Sequence, residues 1–375
     1  MKYLVAIDSF KGSMTSIDAG LSAKKGILLA DKNAEVIIKP IADGGEGTVC
    51  ALVDGLGGKY KTVTVQGPLG KKVDADYGIV DNTAIIEMSA SSGIALVKKD
   101  ELNPLVATTF GLGELILDAL DNGIRSFIIG IGGSATNDGG VGMLTALGYK
   151  FLDKNNLPIP FGGIYLKDIC KIDTSCADLR LKECTFKIAC DVKNPLLGEN
   201  GCSFIFAPQK GCKKEDISRL DEAMANYAFI TKKYIKTANE NLQGAGAAGG
   251  LGFAFSSYLD GELVSGIKLI LDLVNIEEEI KKADIVITGE GKIDAQTVMG
   301  KAPIGITKLA KKYGKMVLAF AGAVSNDARE CNLAGMDGIF SITPSACTLE
   351  EAMNVNNAKS NMTFMVEQVI RIINK

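Results

Sequence analysis

With 375 residues and a formal net charge of -3, the chain is longer than a single hydrophobic core usually supports, so two domains are expected. Hydrophobic residues make up 47% and charged residues 23%, a globular balance that excludes a disordered chain. It carries no basic surplus to draw in nucleic acid or an anionic membrane surface. No apolar run reaches the roughly 18 to 20 residues of a membrane span. Asp8 and Lys11 interrupt the opening apolar stretch too early for a signal peptide. A cytoplasmic location is therefore expected. The nine cysteines include no Cys-x-x-Cys pair and point to reduced thiols; Cys190 is expected to be a buried structural thiol. Histidine is absent altogether. That excludes Ser-His-Asp and Cys-His catalysis, His-ligated zinc and phosphohistidine relays. Acid-base work falls to Asp, Glu, Lys or Tyr.

In chain order, an apolar strand at 3–7 feeds the polar loop Asp8-Ser9-Phe10-Lys11-Gly12. A second strand at 34–38 precedes Asp43-Gly44-Gly45-Glu46-Gly47-Thr48. Residues 61–88 alternate with period two, as a hairpin does. Strands follow at 127–131 and 185–189, then a long charged helix at 214–240. Strands at 284–288, 316–320 and 338–342 close the chain, with a helical pattern at 303–313. Buried strands alternating with helices argue an α/β fold with a parallel sheet. The middle differs in texture from both ends. The expected architecture is thus a Rossmann-like or flavodoxin-like parallel-sheet domain built from residues 1–60 plus 266–375, with residues 61–265 inserted as an α/β domain with a mixed sheet. Two consecutive domains are the alternative.

Five segments combine glycine with acidic, hydroxyl or lysine residues after an apolar strand. They are 8–13, 43–48, 132–140 (Gly-Gly-Ser-Ala-Thr-Asn-Asp-Gly-Gly), 191–195 (Asp-Val-Lys-Asn-Pro) and 289–294 (Gly-Glu-Gly-Lys-Ile-Asp). Any one of them is a turn more often than a site. Together, at the carboxyl ends of parallel strands, they point to a polar ligand site. Phosphoryl transfer explains the residue types: glycines let the backbone approach phosphate, carboxylates hold Mg²⁺, and one more carboxylate accepts the proton of the attacking hydroxyl.

The common phosphate fingerprints fail or fit imperfectly. No Walker A motif is present, since Gly300-Lys301 is followed by Ala302. Gly244 to Gly249 matches Gly-x-Gly-x-x-Gly but follows a helical pattern rather than a strand, so helix packing and phosphate contact are both open. Gly130 to Ala135 fits Gly-x-Gly-x-x-Ala after a strand, and Asp153 stands where a ribose-binding acid would. A nicotinamide-dependent oxidoreductase acting on a small hydroxy acid is the alternative, although the loop delays its helix until Val141. A non-catalytic nucleotide or sugar-acid binding protein is a third reading.

These motifs, together with Gly67-Pro68-Leu69-Gly70, Cys190 to Leu196, Gly246 to Gly252 and Thr288 to Gly291, resemble the type 1 glycerate kinase family of bacteria over essentially the whole chain. The resemblance implies ATP and Mg²⁺ dependence, D-glycerate as acceptor, 2-phosphoglycerate as the usual product, and a site between two α/β domains. Within it, chemistry makes Asp191 the first candidate for general base and Asp294 the second, and either could hold Mg²⁺. Lys11 is a candidate for binding phosphate or the substrate carboxylate. Asp8, Ser9, Asp43, Glu46 and Asn194 are candidates for substrate contact. Gly132, Gly133, Ser134, Thr136, Asn137, Gly246, Gly249, Gly289 and Glu290 are candidates for nucleotide or phosphate contact. The sequence settles neither the hydroxyl that attacks nor the assembly, with which a homodimer is compatible.

Overall fold

The computed structural model describes residues 1–42 and 47–375. Apolar runs set the strands: β1 (Lys2–Ile7), β2 (Glu35–Ile38), β3 (Lys59–Gln66), β4 (Lys72–Val80), β5 (Thr83–Glu87), β6 (Ser126–Gly130), β7 (Lys150–Leu152), β8 (Lys171–Asp173), β9 (Thr185–Ala189), β10 (Glu262–Val264), β11 (Ile285–Ile293), β12 (Met316–Val324) and β13 (Gly338–Ser341). The chain divides into two compact units. One comprises Met1–Asp43, Cys50–Gly58 and Gly266–Lys375; the other comprises Gly44–Val49 and Lys59–Ser265.

The first unit holds a five-stranded sheet in the order β13-β12-β11-β1-β2, every neighbouring pair parallel. Counted along this unit's own chain the order is 2-1-3-4-5, the flavodoxin-like arrangement, with its switch point between β1 and β11. Parallel strands need crossovers, and helices on both faces supply them. On β12, Leu318 and Phe320 join a core with Ala23 and Ile27 of the helix Ser16–Ala30 and Met362 and Val366 of the helix Val355–Ile373. Ala319 and Ala321 face the other way, against Ile304 of the helix Ala302–Lys312. Gly26 lets the first two helices touch: a Cβ there would lie 2.4 Å from the Thr363 carbonyl oxygen.

The second unit holds a six-stranded sheet in the order β10-β9-β6-β5-β4-β3. It is mixed: β3, β4 and β5 pair antiparallel and β5, β6, β9 and β10 pair parallel. Phe127 and Phe186, partners in register across β6 and β9, stack with ring centroids 4.8 Å apart. Around them pack Leu112 and Ile116 of the helix Phe110–Asp121, Tyr227 of the helix Ile217–Tyr234, and Leu251 and Phe255 of the helix Ala247–Tyr258. The charged helix is shorter than its sequence pattern, because Ile235 is extended and ends it. Strand β7 belongs to neither large sheet; it pairs antiparallel with β8 and forms a further antiparallel bridge from Leu152 to Pro158.

Candidate functional site

Parallel register decides which loops share an edge. In the first unit Ile7 pairs with Gly289, so the loop after β1 and the end of β11 leave the sheet side by side at the switch point. The Asp8 amide donates to the Gly289 carbonyl at 2.9 Å, and the Ser9 amide donates to Asp8 Oδ1 at 2.6 Å. A cavity of about 860 Å³ opens here, lined among others by Asp8, Ser9, Lys11, Glu290, Lys301 and Thr343. Asp8 and Glu290 are buried and Lys11 is exposed. Glu290 accepts from Thr297 Oγ1 at 2.7 Å and pairs with Lys301 Nζ at 3.1 Å.

The segment 289–294 differs from its expected form. It lies largely within β11, paired with β12 as far as Ile293 and Val324, rather than in a loop after a strand. Gly289 therefore serves the sheet, since a Cβ there would sit 2.0 Å from the Phe320 carbonyl oxygen. Asp294 comes just beyond, bridged to Lys292 at 3.0 Å and accepting from the Gln296 amide at 3.0 Å. Lys292 and these turn contacts hold its carboxyl below the usual carboxylate range.

In the second unit Gly130 pairs with Ala189, so the loops after β6 and β9 likewise share an edge. The loop after β6 turns on left-handed Gly133, Gly139 and Gly140. Asp138 ties it down, accepting from Thr109 N at 2.8 Å, Thr109 Oγ1 at 2.9 Å, and the Gly140 and Gly142 amides at 3.2 Å each. Burial pushes the Asp138 carboxyl up against the pull of those donors. Gly132 and Gly133 are exposed and Ser134 is 8% exposed, whereas Thr136 and Asn137 are completely buried. Asn137 Nδ2 donates to Ser203 Oγ at 3.0 Å.

Asp191, after β9, is exposed and accepts from Ser265 Oγ at 3.0 Å. Asn194 turns its amide to the Asn200 carbonyl at 2.9 Å. Gly246 and Gly249 meet backbone: the Gly246 amide donates to the Asn194 carbonyl at 3.0 Å and Gly249 accepts from the Gly139 amide at 2.9 Å. A Cβ at Gly249 would lie 2.2 Å from the Thr136 carbonyl oxygen, so these glycines lock the two loops together. Cys190 is half-buried, and burial pushes its thiol up to about 11. Asp43 and Glu46 lie outside the described residues. Ser265 and the buried Lys210 carry no motif that marks them in the sequence, and Lys301 stands there only in the Gly300-Lys301 pair that fails the Walker A pattern.

Comparison with known proteins now bears on what these loops do. The family model described as the glycerate kinase family matches residues 3–374. The chain belongs to the glycerate kinase family. Family relatives include the glycerate 2-kinase of Escherichia coli (strain K12), 46% identical over 94% of this chain and 93% of that protein. The glycerate kinase of Halalkalibacterium halodurans is 44% identical over 99% of this chain and 96% of its own. A crystal structure from Salmonella typhimurium LT2, named as glycerate kinase 2, superposes with a TM-score of 0.91 at 41% identity, covering 100% of this chain and 98% of that one. Nothing in these family matches favours the nicotinamide alternative. The fold gives the reason: Asp153 follows β7, which is not a neighbour of β6, and its carboxylate caps a turn through the Asn155 and Leu157 amides.

Proposed function

We propose that this chain transfers the γ-phosphoryl group of ATP to the 2-hydroxyl of D-glycerate, giving ADP and 2-phosphoglycerate. The observation that carries the reading is the match to the glycerate kinase family across residues 3–374, and the relative named glycerate 2-kinase supports the choice of hydroxyl. The compact units are taken as the two domains of the enzyme, one built from both chain ends and one inserted.

Asp191 is assigned as the general base. It is an exposed carboxylate at a strand end, oriented by Ser265, and it accepts the proton of the attacking hydroxyl. Asp294 suits the metal better, since Lys292 keeps it anionic and so a poor proton acceptor. Among the described residues no group of three His, Cys, Asp or Glu side chains gathers to hold a metal by itself. That fits Mg²⁺, which is commonly held by one or two carboxylates together with substrate phosphates. Bound so, Mg²⁺ would neutralise charge developing on the transferred phosphoryl group. Lys11, exposed at the cavity, supplies a positive charge toward phosphate or the glycerate carboxylate, and the Gly132-Gly133-Ser134 segment presents backbone to an anion. No helix among the described residues is long and apolar enough to cross a membrane, and dependence on ATP suits a cytoplasmic enzyme acting on a free small molecule.

Purified protein given ATP, Mg²⁺ and D-glycerate is expected to release ADP, with a phosphorus NMR signal for 2-phosphoglycerate and no glycerate-dependent change in NAD(H) absorbance. A 3-phosphoglycerate signal would move the attack to the other hydroxyl. NADH formation without ADP would replace the kinase by the oxidoreductase.

A further inference from the structure

A cation with no carboxylate partner among the described residues lies beneath the glycine-rich loop of the second unit. Lys210 ends the short turn Pro208–Lys210 and is 1% exposed. Its ammonium donates to Ser134 Oγ and to the Thr136 carbonyl oxygen, both at 2.7 Å. The buried carboxylate whose charge reaches it, Asp138, makes its hydrogen bonds to Thr109, Gly140 and Gly142 instead.

Bracing two neutral acceptors does not require a charge, and burying an ammonium that no carboxylate pairs directly is costly. A neutral donor would brace the loop at lower cost. A positive charge is useful at this place when a negative charge arrives above it. Two further buried atoms on the same loop, Thr136 Oγ1 and Asn137 Oδ1, have no hydrogen-bond partner among the described residues, so the loop's polar groups are incompletely satisfied as it stands. Because Ser134 Oγ accepts from Lys210, the hydroxyl hydrogen of Ser134 is left to donate elsewhere, and Ser134 adjoins the exposed Gly132 and Gly133.

We propose that Lys210 is a positioning residue for anion binding: it fixes Ser134 and sets a buried positive charge under Gly132, Gly133 and Ser134, where an anionic oxygen of a substrate docks. The kinase reading enters only in naming the two sources of that oxygen, a nucleotide phosphate or the glycerate carboxylate. Burial lowers the Lys210 ammonium to about 8, so its charge fades between neutral and mildly alkaline pH. The other titratable group whose charge reaches it, Cys202, is pushed up by burial to about 11 and stays a thiol over that range.

The test is direct calorimetric binding to the full-length protein of ATP, D-glycerate and inorganic tripolyphosphate, for the wild type, Lys210→Met, Lys210→Arg and Ser134→Ala. Lys210→Met should weaken the docking anion at least tenfold and leave the other ligand within twofold. Loss of ATP and tripolyphosphate identifies phosphate; loss of glycerate alone identifies the carboxylate. Lys210→Arg should recover part of the loss, and Ser134→Ala should weaken the same ligand. Wild-type affinity for that ligand should fall between pH 7.5 and 9.5, where phosphates and carboxylates are already ionised, while Lys210→Met stays flat. A Lys210→Met protein that melts earlier but binds every ligand like the wild type, with the same pH profile, would overturn the proposal and leave Lys210 a brace. If Lys210→Met does not fold, a flat wild-type profile with normal binding by Ser134→Ala overturns it equally. Lys210-dependent tripolyphosphate binding in a protein that releases no ADP with glycerate would keep the anion site and discard the kinase.

Discussion

Asp191 and Asp294 are both acidic residues at strand ends, but their surroundings give them different chemistry. Asp294 is tied to Lys292 and to its own turn, which lowers its proton affinity, whereas Asp191 is exposed and oriented by a serine hydroxyl. Asp191→Asn should therefore lower kcat by about a hundred- to ten-thousandfold while calorimetry still finds ATP bound at wild-type affinity. Near-normal turnover would remove Asp191 from the role of base. The cysteines divide by the same physics. A hydrogen bond from Lys150 lowers the exposed Cys176 thiol, whereas burial raises Cys190, Cys202 and Cys331 to about 11. Brief iodoacetamide treatment at pH 7.5, mapped by peptide mass, should label Cys176 ahead of those three; equal labelling of Cys190 would contradict its burial. At this scale the sequence exposes residues that sit in motifs, such as Asp8 and Glu290. It hides Lys210, whose importance comes from the fold bringing residue 210 under residues 134 and 136.

At the scale of elements, the apolar runs were legible because a parallel strand buried on both faces is written as a short continuous hydrophobic segment. Strand ends were less so. In β11 the glycines and charges of residues 289–294 resemble a loop, yet register with β12 carries the strand on to Ile293. Local composition cannot reveal that, since the partner strand lies more than twenty residues further along. The two glycines of this stretch should respond oppositely to alanine. A Cβ at Gly289 would meet the Phe320 carbonyl oxygen at 2.0 Å, while at Gly291 the nearest atom is 3.6 Å away, in ordinary contact. Gly289→Ala must push β11 from β12 and should destabilise by roughly 3 kcal/mol or more. Gly291→Ala should stay within about 1 kcal/mol of wild type by the same reasoning. Urea unfolding measures both, and equal midpoints for the two variants would mean that β11 and β12 separate more easily than this geometry allows.

At the scale of the whole chain, the decisive feature is how the hydrophobic material is partitioned. The principal core of the second unit draws its members from Val63 to Leu263, and two cores of the first unit draw theirs from residues up to Ile38 and from Ile285 onward, with Leu52, Ile270 and Ile280 of the same unit also buried. The second unit also brings both kinds of strand pairing and its own covering helices, and residues 59–265 exceed the length below which a domain needs disulfides or metals to persist. Expressed alone, residues 59–265 should fold and lose their near-ultraviolet circular dichroism in one cooperative thermal transition. The loop after β6 should keep its shape there, because Asp138, Lys210 and the glycines at 246 and 249 all travel with the fragment. The fragment should then retain whichever anion depends on Lys210, although it cannot turn over, having lost Lys11, Glu290 and Asp294. A soluble fragment without a cooperative transition would show that the second unit relies on the first for stability, despite the large core it carries.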